Sequence, residues 1–102
     1  MGCEVVPFAL DADRTLDEQI EALNFDPDVV LIEFFGRPEL PRDFHKSRYR
    51  LAAYCVDSPL NEFWLLPLSK LFDHVYVDQL SSVAKFRRQG VPASWLPLCV
   101  FD

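Results

Sequence analysis

The sequence predicts an α/β fold: a three-layer, Rossmann-like domain around a mostly parallel five-stranded sheet. Apolar strand-like runs and amphipathic stretches alternate along all 102 residues, the pattern of a doubly wound domain. The connections between successive apolar runs are at least a dozen residues long, as parallel strands require. The segment from Leu71 to Leu98 shows the unit most clearly: a β-branched and aromatic run to Gln79, an amphipathic stretch from Ser81 to Gly90, then a second apolar run.

The first strand is expected over Cys3–Leu10, with Pro7 assigning it to an edge. After the loop at Asp11–Arg14, Thr15 and Glu18 form a capping box, so a helix begins at Leu16 and presents Leu16, Ile20 and Leu23 on one face. Pro27 disfavours helical geometry at Asp26 and closes that helix. Asp28–Gly36 is the most apolar strand, continuous rather than alternating, which predicts a central position with both faces covered. Arg37–Arg50 holds two prolines and little periodicity, enough for a single helical turn near Pro41. Its basic cluster suits a solvated connection, or a phosphate or sugar acid.

Leu51–Val56 is the third strand. Ser58 can cap and Pro59 can open the following helix, which carries Leu60, Phe63, Trp64, Leu68 and Leu71 toward the sheet and is kinked or divided at Pro67. Trp64 is a core anchor first and a sugar-stacking platform second. His74–Val77 is the fourth strand. The last helix runs from about Ser81 or Ser82 to Gln89 with Val83 and Phe86 (or Ala84) inward. Gly90 ends it in the left-handed conformation, and the fifth strand is Ala93–Leu96. A reversal of strand order near the first two strands would cover both faces of the sheet; if successive strands were instead all neighbours in one direction, every crossover helix would fall on one face. The bare face would then be buried by a second copy or by another part of a longer chain.

A chain of 11.8 kDa makes one domain. A net charge of −6 argues against nucleic acid or an anionic membrane as the main partner. Cys3, Cys55 and Cys99 have no metal-ligand spacing and are expected to be reduced, as in a cytoplasmic protein. No apolar run approaches the roughly 20 residues that span a bilayer, and the expected protein is soluble.

With glycine only at positions 2, 36 and 90, neither a dinucleotide fingerprint nor a phosphate-binding loop exists, and no cofactor or metal is expected. A phosphate-accepting receiver domain fails at the last strand, where Pro97-Leu98 stands in place of lysine. What remains is a set of polar residues following neighbouring strands: Glu33, then Asp57 with Ser58 and Asn61, then Asp78 with Gln79. In a parallel sheet these converge at the carboxyl edge, where α/β domains bind ligands. Carboxylates there can orient hydroxyls or take a proton. Helix capping and loop solvation explain the same residues without function.

The ordered set Asp26-Pro27-Asp28-Val29-Val30, Tyr54 to Trp64, Leu71 to Gln79, Phe86 to Gly90 and Ser94 to Leu98 resembles the amino-terminal domain of GT-B-fold glycosyltransferases, in particular the spore-maturation-type, family 1-like bacterial branch. The resemblance implies two Rossmann-like domains with the active site between them. The amino-terminal domain supplies the acceptor side and catalytic base, and a second domain binds the nucleotide-sugar. It makes Asp57 the base and Glu33, Ser58, Asn61, Asp78 and Gln79 the acceptor-binding groups. It also makes the chain a fragment, inactive alone, whose partner is that nucleotide-sugar-binding domain. The opening strand and glycine-containing loop usual in such domains are not recognisable here. The competing expectation is a non-catalytic α/β module that pairs through an exposed sheet face or edge, with a homodimer as one form.

Overall fold

A computed structural model describes residues 4–34, 40, 41, 43–56 and 58–96, and among these the side chains of 58–62 lie outside the description. The described elements are α1 (Leu16–Glu21), β1 (Val30–Phe34), a short 3-10 turn (Phe44–Lys46), β2 (Leu51–Cys55), α2 (Ser58–Ser69), β3 (His74–Val77), α3 (Leu80–Arg88) and β4 (Ala93–Trp95). The four strands form one sheet in the order β1-β2-β3-β4, and every pairing is parallel.

The expected fifth strand at the amino terminus does not form: residues 4–10 carry no strand. Pro7 removes a ladder donor, while Val5 is exposed and Phe8 and Leu10 rest against the core instead. β1 is consequently an edge of the described sheet rather than its centre. Its burial alternates strictly, and Leu31 is 46% exposed.

The register explains this alternation. Val30, Ile32 and Phe34 pair with Leu51, Ala53 and Cys55; these continue to Val75, Val77 and Ala93 on one face of the sheet. All of them belong to a single buried cluster with Leu16 and Ile20 of α1, Trp64 and Leu65 of α2, and Val83 and Phe86 of α3. Leu31, Glu33, Ala52, Tyr54, His74, Tyr76 and Ser94 point to the other face, and none of them joins that cluster. The three-layer expectation is therefore corrected. Strands added in one direction by right-handed crossovers send their helices to one side, so the described helices cover one face only.

Local chemistry sets the element ends. The Thr15 hydroxyl accepts from the Glu18 amide at 3.2 Å, as a cap should, but Glu18 turns to Arg14 at 4.0 Å. α1 stops at Glu21, well before Pro27, and Asn24 takes a left-handed conformation at φ 52°. Helix α2 runs continuously through Pro67, which neither divides it nor ends it. Phe63 is 77% exposed rather than inward, and Leu65 takes the buried position beside Trp64. The Trp64 ring meets Phe34 edge-on at 6.0 Å, which makes it a core anchor. Leu71, expected to face the sheet, is also exposed. Gly90 closes α3 with φ 83°.

Candidate functional site

Parallel pairing places the ends of all four strands on one rim. The ladder continues one residue past β2, β3 and β4: the Val56 amide donates to the Phe34 carbonyl (3.1 Å), Asp78 to Cys55 (3.3 Å) and Leu96 to Val77 (2.8 Å). These bonds tie the backbone of Asp78 and Leu96 to the neighbouring strands at the rim.

Asp78 follows β3 and is only 8% exposed. A carboxylate at that depth needs partners, and Asp78 has further interactions within the fold. Its backbone carbonyl accepts the indole N–H of Trp95 at 3.2 Å. Trp95 is 50% exposed, so a wide aromatic ring is tethered to the rim through the backbone of Asp78. From the open face, the Tyr54 hydroxyl donates to the carbonyl of Leu96 at 2.9 Å and links β2 to the end of β4.

Cys55 lies under this rim as a free, buried thiol. Burial first, and the negative charge of Asp78 second, push its pKa up to about 12. Its thiolate is negligible at neutral pH, so it serves packing rather than nucleophilic chemistry. Cys3 and Cys99 lie outside the described residues.

The sequence-predicted site residues separate into three groups. Asp78 and Gln79 sit together at the rim; Gln79 is exposed and precedes α3 without capping it through its side chain. Glu33 is exposed on the open face, in register with Tyr54, one row in from the rim. Asp57 lies outside the described residues, as do the side chains of Ser58 and Asn61, whose backbone opens α2 at the same end of the sheet. No described group of His, Cys, Asp or Glu side chains could hold a metal ion, and no described helix is long and apolar enough to cross a membrane.

No family model, curated protein or solved structure matches this chain.

Two features went unpredicted. One is Trp95, which the sequence shows only as part of an apolar run. The other is the row structure of the open face, where Glu33, Tyr54, Tyr76 and Ser94 follow one another in register. The His74 Nε2 lies 2.9 Å from the Ser94 hydroxyl, and its ring is 4.6 Å from that of Tyr76. The period-two order His74-Val75-Tyr76-Val77 carried that signal, since it puts two aliphatic residues on one face and two polar rings on the other.

Proposed function

We propose that the chain is the acceptor-side domain of a glycosyltransferase-like protein, which holds a hydroxyl-bearing acceptor at the carboxyl rim while a separate domain supplies the nucleotide-sugar. The observation that carries this reading is the exposed ring of Trp95 tethered at the carboxyl rim to the backbone carbonyl of Asp78, an acidic residue at the end of β3. Sugar rings present C–H faces that pack on aromatic surfaces, and a neighbouring carboxylate accepts their hydroxyl protons. The parallel strand order brings Gln79 to the same rim, and the ordered segments between residues 26 and 98 resemble those of GT-B amino-terminal domains. In this scheme Asp57 is the base, with Ser58, Asn61 and Glu33 completing the acceptor side. Deprotonating an acceptor hydroxyl needs a carboxylate within hydrogen-bond reach of it.

The test is a titration of the chain with neutral saccharides and, separately, nucleotide-sugars, followed by NMR at the Trp95 indole N–H. Saccharides should shift that signal and the Asp78 and Gln79 amides, and Trp95→Ala should abolish the response. Tight nucleotide-sugar binding by these 102 residues, or saccharides that leave the rim unchanged, would overturn the assignment.

A second function, a non-catalytic interaction module, is favoured by the open sheet face. Purely parallel sheets are normally covered on both faces, and here Leu31 and Glu33 stand exposed on one of them. The two functions are compatible, because the rim and the face are different surfaces.

A further inference from the structure

The chain is acidic overall, yet half of its ten Lys and Arg residues, namely Arg37, Arg42, Lys46, Arg48 and Arg50, fall between positions 37 and 50. The fold carries the end of this segment to the amino edge of the sheet, opposite the rim described above. There it opens a groove of about 360 Å³ with His45, Ser47, Arg48 and Arg50 on one wall and Asp73 on the other. That volume is at the small end of ligand sites, which run from about 300 to 1,000 Å³.

The walls are held from behind. The Arg48 guanidinium lies 4.4 Å from the centre of the Tyr49 ring and donates to the Tyr49 hydroxyl at 2.5 Å, while the Tyr49 side chain is buried. Its ion pair with Glu21, at 3.5 Å, is well exposed and exchanges readily for a stronger anion. The Arg50 carbonyl accepts from the Val30 amide at 2.8 Å, which fixes the backbone at the sheet edge. Among the described residues, the Arg50 side chain has no ion pair. The Ser47 hydroxyl donates to the Asp17 carboxylate and accepts from the Tyr49 amide at 3.2 Å. Across the groove, Asp73 Oδ2 accepts from the Leu51 amide at 2.8 Å and the Asp73 amide donates to the Leu51 carbonyl at 2.8 Å.

We infer that this groove binds a small phosphate ester that also carries a hydroxyl. Guanidinium groups are planar forks that match phosphate oxygens, and two arginines, Arg48 and Arg50, are among the residues that line the groove. Asp73 would repel a bare phosphate, but its carboxylate is an acceptor that a hydroxyl satisfies. A ligand with both groups fits both walls, and a polyanion such as nucleic acid is disfavoured by the charge of the rest of the chain.

The experiment is a 1H–15N titration of the full chain at constant ionic strength with glycerol phosphate, inorganic phosphate, glycerol and acetate. Glycerol phosphate should produce saturable shifts at the amides from Ser47 to Leu51, at Asp73, and at the Nε–H groups of Arg48 and Arg50. Inorganic phosphate should bind the same place more weakly, and glycerol and acetate should not bind. Arg50→Ala should weaken glycerol phosphate binding at least tenfold, whereas Arg88→Ala on α3 should leave it unchanged. Shifts that never saturate and are shared with Arg87 and Arg88, acetate binding as well as phosphate, or an Arg50→Ala variant with unaltered affinity would each overturn the site.

Discussion

Gln19 anchors the amino-terminal segment. It is 5% exposed. Its Oε1 accepts from the Asp11 amide at 2.8 Å, and its Nε2 donates to the carbonyls of Asp11 (2.8 Å), Arg14 (3.0 Å) and Thr15 (3.2 Å). One amide side chain thus closes the loop before α1. Gln19→Leu should destabilise the fold by about 1–3 kcal/mol, because four partly buried hydrogen bonds to the loop are lost. Gln19→Glu should cost more than Gln19→Leu, since a carboxylate oxygen would face three carbonyls. Urea midpoints of the two variants check the order. The sequence could not announce this role: glutamine in a first helical turn is ordinary, and its partners are set by how the loop folds back. The same limit applies at the rim. Asp78 was legible as a polar residue after a strand, whereas its link to Trp95 spans 17 positions and depends on two strands being neighbours.

At the scale of elements, local chemistry was the best guide. The Thr15 cap, the left-handed Gly90 and the pairing of Val83 with Phe86 on the inner face of α3 all follow from nearest-neighbour sterics and 3.6-residue periodicity. Gly90 offers a clean test, because a Cβ there would meet nothing within 4 Å. Gly90→Ala should therefore cost about 1–2 kcal/mol from the positive φ alone, and Gly90→Asn less, by thermal or urea unfolding. Where long-range context decides, the local signal failed. The run Val29 to Phe35 is apolar except at Glu33 and so looked covered on both sides, but Leu31 faces outward because no described strand or helix reaches that side of β1. Phe63 and Leu65 exchanged roles for a similar reason: α2 is apolar around most of its circumference, so periodicity alone could not choose its inner face.

For the molecule as a whole, the decisive feature is a parallel sheet with its helices on one side. The open side is partly roofed by its own rings, with Tyr54 buried and His74 and Tyr76 half-buried. This two-sidedness predicts opposite outcomes for adjacent positions. Ile32→Ala should cost about 2–5 kcal/mol because it hollows the core, whereas Leu31→Ala, one residue away, should stay below about 1 kcal/mol. Chemical denaturation of both variants decides it; equal losses would show that the outer face is buried in solution and occupied by something else. The strand order has a further consequence, for synthesis. Each strand lies beside the one made just before it, so a nascent chain can extend its sheet outward one βα unit at a time as it leaves the ribosome. It never has to hold a gap open for a strand not yet translated, and each new pairing closes a single βα crossover rather than several at once.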